Sequence, residues 1–387
     1  MGITERKVQE EQWMNETIDK ILHKMEWVSQ KNKEKIPCTT DEWGNYDDLT
    51  SPETSKNGLS IDWWTNGFWG GILWKLFNYT ENKEYATIAR KSEVKLDACL
   101  MEFNCLHHDV GFMYLLTGVA DYKLTGSEEG RRRGLHAATI LAGRFNPVGQ
   151  FIRAWNEWGD DTRGWAIIDC MMNLSLLYWA SEETKDPRFR QIAMLHADTV
   201  MKHFVRKDGS VNHIVEFNPE TGDMVRSYGG QGYAEGSSWT RGQAWGLYGF
   251  VISYIHTEKE DYLNTAKRIA HYFMANLGED AIVPIDFRQP EEPALEDSCA
   301  ACIAASGLLE LVNCVQEAEK AIYHRAAIRI LKTISEHRAC WGKESDAIVT
   351  NCSSAYHSND HHVAMVYADY FFIEAMFKLG DGDILFW

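Results

Sequence analysis

Apolar residues recur along most of the 387-residue chain at the three- and four-residue spacing of α-helices. The spacing predicts about twelve helices, near 8–30, 62–78, 82–104, 111–124, 127–145, 165–182, 187–205, 238–257, 260–276, 297–314, 318–338 and 361–379. One stretch departs from the pattern. Val211 to Phe217 alternates, Asn218 to Asp223 reads as a turn, and Met224 to Ser227 is extended again, so a β-hairpin is expected over 211–227.

The helices are of two kinds. Lys83–Cys99, Asp186–Val205 and Lys320–His337 each carry a charged face, whereas Trp165–Ala180 and Trp239–Phe250 are apolar almost all round. A helix apolar on every side is buried. Amphipathic helices outside buried ones imply two concentric layers. The fold class expected is therefore all-α, an (α/α)6 barrel of six helical hairpins with the small β-hairpin attached, as a single domain over residues 1–387. A superhelical array of helix pairs competes, but no repeat of fixed period is visible. Interior glycines lie beside aromatic residues in two of these helices, Gly67, Gly70 and Gly71 in one and Gly242, Gly246 and Gly249 in the other. Each costs about 0.8–1 kcal/mol relative to alanine. Close helix packing or close approach of a ligand must offset that cost.

Composition sharpens the picture in three ways. Only 8 prolines leave helices uninterrupted, and 15 tryptophans suit a core of large rings or a groove that stacks on sugar faces. The net charge of −17 excludes nucleic acid and anionic membrane surfaces as bulk partners, and it requires a locally positive pocket for any anionic substrate. No apolar run reaches the roughly 18 residues of a membrane span, and the opening residues Met1–Glu11 are polar, without a secretory signal. A cytoplasmic protein with reduced thiols is expected, as a monomer or weak homo-oligomer. Cys299 and Cys302 form a lone CxxC, read as small buried residues on a helix; no metal and no cofactor are expected.

Nucleotide-binding, zincin and esterase motifs are absent. Carboxylates in unusual places remain. Asp169 sits in the apolar stretch Trp165–Ala180, with Asn173 four residues later and Trp165 four before on one helical face. A carboxylate drawn into apolar surroundings is raised in pKa, the condition for a general acid that later acts as a base; a buried Asp satisfied by a neighbouring cap is the alternative. Asp109 follows His107 and His108 just before a helix, where it is either an N-cap or a catalytic or sugar-binding group. Arg241 and Trp245, four apart on a buried-type helix, form either a structural ion pair with a core Asp or an anion receptor. His213 reads by default as a surface strand residue, and Gln231 lies in a glycine-rich loop. Asp160-Asp161 reads as a solvated loop, Arg131-Arg132-Arg133 as a solvated helix face, and Asp360-His361-His362 as a helix start or a ligand contact. The segment Ser353–His362 contains no lysine or arginine, so no anion-receiving role is read for it.

Three ordered stretches, His107-His108-Asp109-Val110-Gly111-Phe112, Ile168-Asp169-Cys170-Met171-Met172-Asn173 and Ser238-Trp239-Thr240-Arg241-Gly242-Gln243-Ala244-Trp245, resemble the unsaturated glucuronyl hydrolases of glycoside hydrolase family 88. Trp63-Trp64-Thr65-Asn66-Gly67-Phe68-Trp69 and the helix from Asp297 to Glu310 fit as well, so the resemblance spans about Trp63 to Tyr370. It implies an (α/α)6 barrel that hydrates the C4=C5 vinyl ether of a Δ4,5-unsaturated glucuronic acid on lyase-generated glycosaminoglycan disaccharides of chondroitin, hyaluronan or heparin type. It implies Asp169 as general acid/base and Asp109 as the second essential carboxylate. It implies a pocket of Trp63, Asn66, His108, Asn173, His213, Gln231, Arg241 and Trp245, and no metal. Three alternatives stay open: an unsaturated rhamnogalacturonyl hydrolase, a conventional inverting glycosidase on the same barrel, and a non-catalytic oligosaccharide-binding protein.

Overall fold

The computed structural model describes residues 3–156, 161–380 and 382–387. Six inner helical segments form a closed ring. They are α2 (Phe68–Thr80), the segment α4 (Val110–Tyr114) running through a π turn (Leu115–Val119) into α5 (Ala120–Thr125), α7 (Cys170–Thr184), α9 (Thr240–Thr257), α11 (Ser298–Cys314) and α13 (Val366–Leu379). Each packs on the next, and α13 closes on α2. The outer layer is α1 (Ile3–Lys31), α3 (Lys83–Met101), α6 (Glu128–Gly143), α8 (Pro187–His203), α10 (Glu260–Ala275) and α12 (Glu317–His337). Outer helices lie on their inner partners with one apolar face, as the (α/α)6 expectation requires.

The two ends of the barrel differ. Inner helices pass to outer ones through tight links that repeat one device: a residue at positive φ, then the residue preceding the next helix. The pairs are Glu81-Asn82, Gly126-Ser127, Lys185-Asp186 and Glu258-Lys259. In three of them the second side chain caps the helix, as Asp186 accepts from Arg188 N. At this end Glu374 is buried, accepts from Tyr248, Ser306, Tyr370 and Trp387, and pairs with Lys75 and Lys378. The returns from outer to inner helices are long and carry the remaining structure. They meet at the N-terminal ends of α2, α4, α7, α9, α11 and α13, whose positive dipole ends face the same region.

The sequence expectations fail in a few places. The helix expected at 165–182 is a strand, β3 (Trp165–Ile167), followed by α7. A short apolar run does not distinguish a buried strand from a buried helix; here β3 pairs antiparallel with β4 (Ile214–Phe217), which pairs with β5 (Met224–Tyr228). The expected hairpin thus becomes two strands of a three-stranded sheet. Trp165 consequently does not share a helix face with Asp169. A second, unexpected sheet joins β1 (Phe145–Asn146) to β2 (Phe151–Ile152). The helix expected at 111–124 is broken by its π turn, the one at 62–78 begins as a 3-10 turn at Trp64–Gly67, and the last begins at Val366, so Asp360-His361-His362 is no helix start. Arg133 is not on a solvated face: it bonds Asp97 and buried Glu93 on α3, while Arg131 bonds Glu183. Asp161 is exposed and paired with Arg163; Asp160 lies outside the described residues.

Interior glycines on α9 serve packing. A Cβ on Gly249 would meet Met171 of α7, and one on Gly242 would meet Trp239. Cys299 and Cys302 are buried on α11, and all nine cysteines are free thiols. Among the described residues, no helix is long and apolar enough to cross a membrane.

Candidate active site

A cleft of about 160 Å³ opens where the N-terminal ends of the inner helices meet, lined by Trp63, Trp64, His107, His108, Asp109, Trp155, Ile167, Asp169, His213, Gln231, Trp239 and Arg241. Asp169 stands at the junction of β3 and α7. Ile168 N donates to His213 O, so the strand pairing that continues from Ile167–Ile214 sets Asp169 opposite His213. His213 is 5 % exposed, not a surface residue, because β3 and the 229–232 loop cover it.

The His213 ring has a fixed tautomer. Its Nδ1 accepts from Gln231 N at 3.0 Å, so Nε2 carries the hydrogen. Burial pushes its pKa down to about 3, which keeps the ring neutral. Nε2 lies 3.8 Å from Asp169 Oδ2, and neither atom has a hydrogen-bond partner. Two buried polar groups aimed at one gap without meeting are placed for a third group between them. Gly230 makes the arrangement possible: its φ is +57°, and a Cβ there would sit 2.0 Å from His213 Nδ1.

The two carboxylates are driven apart electrostatically. Asp169 is raised to about 7, by burial first and by the charge of Asp109 second. Asp109 is also buried, which pushes it up, yet its partners win and hold it below the ordinary value. His108 Nε2 lies 3.2 Å and His107 Nδ1 3.4 Å from Asp109 Oδ2, and Asn173 Nδ2 donates to Oδ1 at 3.2 Å. Burial lowers His107 to about 4. Asp109 is not a helix cap; its side chain accepts no bond from the first turn of α4. One carboxyl that holds a proton near neutrality beside one that stays ionised is an acid–base pair with separated roles.

Arg241 is committed within the wall of the cleft. Nη1 donates to Asp297 Oδ2 at 2.6 Å and to Ser353 O, and Nη2 donates to Ser354 O. Burial opposes the charge, but Asp297 together with Tyr367, Cys299 and Asp169 outweighs it, so the guanidinium stays protonated. Its carbon sits 4.8 Å over the Trp239 ring. The ion-pair alternative for Arg241 thus describes its geometry, although the residue also lines the cleft.

Of the residues named from sequence, Trp63, His108, Asp109, Asp169, His213, Gln231 and Arg241 come together around the cleft. Asn66, Asn173 and Trp245 are fully buried behind it. Asn66 Nδ2 donates to Ser60 O and Ile61 O, tying down the loop before Trp63. Asn173 bridges Asp109 and Phe112 N, an approach that Gly111 permits. Trp245 packs on Phe112 and Phe371 in the core. The ring that reaches the cleft from this helix is Trp239, 4.1 Å from His213. Trp239 stood in the motif already quoted; its place directly before α9 was the overlooked signal. Trp64, His107, Trp155 and Ile167 were also missed.

Among the described residues, two sets of donor atoms lie within 4.8 Å of one another and could hold a cation: His107, His108 and Asp109, and Asp297, Cys299 and Cys352. In the first set, both imidazoles face the Asp109 carboxylate. In the second, Asp297 is engaged by Arg241 and by Cys299 N. These pairings account for the closeness of both sets.

The sequence profile of Glycosyl Hydrolase Family 88 matches residues 18–374. The chain is 36 % identical over 334 residues to an unsaturated glucuronyl hydrolase of Bacillus sp. (strain GL1), covering 84 % of this chain and 88 % of that one. It is 30 % identical over 381 residues to an unsaturated chondroitin disaccharide hydrolase of Streptococcus pneumoniae, covering 97 % and 93 %. A solved structure of the unsaturated glucuronyl hydrolase of Bacillus sp. GL1 superposes with a TM-score of 0.88 at 33 % identity, covering 95 % of this chain and 97 % of that chain.

Proposed function

The chain belongs to glycoside hydrolase family 88, and on that premise we propose that it releases Δ4,5-unsaturated glucuronic acid from lyase-generated glycosaminoglycan disaccharides, with Asp169 as general acid/base. One observation carries the residue assignment: Asp169, raised to about 7, points an unpartnered oxygen at the Nε2–H of a neutral His213 inside the cleft. At pH 7 such a carboxyl is about half protonated; an ordinary Asp near 3.9 would be protonated about one time in a thousand.

Protonated Asp169 gives its hydrogen to C4 of the vinyl ether. The electron pair of the double bond forms the new C–H bond, and positive charge develops at C5 and the ring oxygen. Ionised Asp109 and the new Asp169 carboxylate stabilise that charge. Asp169 then takes a proton from water as its oxygen bonds to C5, and the catalyst is restored. The resulting hemiketal opens and the aglycone leaves. His213 Nε2 is placed to orient the water or the ring. The converging helix N-termini favour the uronate carboxylate despite the acidic surface. The nine free thiols favour a reducing, cytoplasmic site of action.

Loss of enol-ether absorbance tests the reading. Chondroitin, hyaluronan or heparin disaccharides should be turned over without added metal, and chelator should leave the rate unchanged. Turnover confined to rhamnogalacturonan lyase products would replace this substrate class, and binding without any turnover would remove the activity.

Two structural predictions accompany it. Asp297→Asn strips the buried Arg241 of its counter-charge, so denaturant unfolding should show a loss of about 3–5 kcal/mol, and kcat/KM should fall with it. Gly230→Ala forces a side chain against His213. Because a 1 Å misplacement in an active site costs about 10²-fold, kcat/KM should drop by that order, while circular dichroism stays unchanged.

A further inference from the structure

Next to the catalytic cleft lies a second cavity of about 310 Å³ that shares Trp63, Trp64, Gln231 and Arg241 with it. The sugar attached to the reacting uronate must lie beyond the cleft, and this adjoining space is where the shared walls lead. Lys56 and Asp360, a cation and a carboxylate unused by the mechanism, line it.

Lys56 is built into the wall. Its backbone N–H donates to Asp47 Oδ2, and Asp47 Oδ1 accepts from Cys38 N and Thr39 N, which line the same cavity. One buried carboxylate therefore ties the root of Lys56 to the Cys38–Thr39 segment. The 55–59 turn is closed by Leu59 N donating to Ser55 Oγ. The ammonium donates to Thr40 O at 3.0 Å, next to that segment. An ammonium has three hydrogens, so donors remain for a ligand. Arg241, the other cation of the cavity, has its guanidinium engaged by Asp297, Ser353 and Ser354. With a net charge of −17 around it, an accessible cation at this place is the feature that would admit an anionic group.

We infer that Lys56 is a specificity-determining residue that receives a sulfate group on the aglycone sugar, with Asp360 as the opposite charge on the same cavity lining. The inference rests on the proposed function, because it takes the adjoining cavity for the aglycone's place. Lys56 is solvent-exposed, so its contribution is that of a surface ion pair, about fivefold in binding. Removing it also leaves Asp360 to repel the sulfate.

The test compares unsaturated chondroitin-type disaccharides without sulfate and with 4-O- or 6-O-sulfate, and heparin-type disaccharides with N-sulfate. The readout is the ratio of kcat/KM for each sulfated substrate to its unsulfated parent. For at least one sulfate position, Lys56→Met should lower that ratio about five- to tenfold, Lys56→Arg should keep it, and Asp360→Asn should raise it. The position that responds identifies the source of the sulfate. A ratio unmoved by Lys56→Met at every position, with the wild type active, overturns the role of Lys56 alone. A wild type inactive on every disaccharide overturns the proposed function, and the inference falls with it.

Discussion

Asp169→Asn is expected to lower kcat/KM by about 10³-fold or more while leaving substrate affinity within a few-fold of wild type. General acid–base catalysis by one positioned group contributes about 10²–10⁴. Here the same group both delivers the proton to carbon and accepts one from water, so the upper part of that range applies. Binding survives because the side chain makes no hydrogen bond to its neighbours through Oδ2, and the amide is nearly isosteric. Stability should move the other way. A carboxyl raised to about 7 in the fold, from about 3.9 when unfolded, favours folding below pH 4. That contribution is lost as pH rises through 7, where the native state must hold a desolvated charge. The substitution removes the charge, so Tm of the variant relative to wild type should be higher at pH 8 than at pH 5. Turnover near the wild-type rate would remove Asp169 from the mechanism.

Asp109→Asn has the second-largest expected effect, a loss of about 10²-fold or more in kcat/KM, the order for one electrostatic contact to a developing charge. The loss should carry a pH signature. In the wild type, kcat/KM should decline above about pH 7 as Asp169 loses its proton. Asp109 is a charge that keeps that proton in place, and its removal should move the decline to lower pH. A variant with the same loss but an unmoved limb would leave Asp109 a substrate contact only.

The helices were legible because their apolar spacing is regular over fifteen or more residues and because outer and inner helices differ in their polar faces. The strand before Asp169 was not, since three residues of β3 carry no period of their own and gain identity only by pairing with β4. Asp169 was therefore singled out as a buried carboxylate for a mid-helix position it does not occupy; it stands at the head of α7 with its side chain 15 % exposed. His213 shows the same limit: burial came from a strand and a loop distant in sequence. Arg241 and Trp245 were paired by helical spacing, yet the helix turns Trp245 into the core and leaves Trp239 at its mouth. Lys56 gave no signal, because its place depends on Asp47 and on loops that have no periodicity.

The central claim is that the proton from residue 169 goes to carbon. A single turnover in D2O, followed by NMR of the released sugar before it equilibrates, tests that most directly. The account predicts one deuterium at C4, delivered to a single face, with enol-ether absorbance lost no later than the aglycone is freed. Release of the aglycone ahead of absorbance loss, followed by deuterium on both faces of C4, would mean direct cleavage of the glycosidic bond and contradict it.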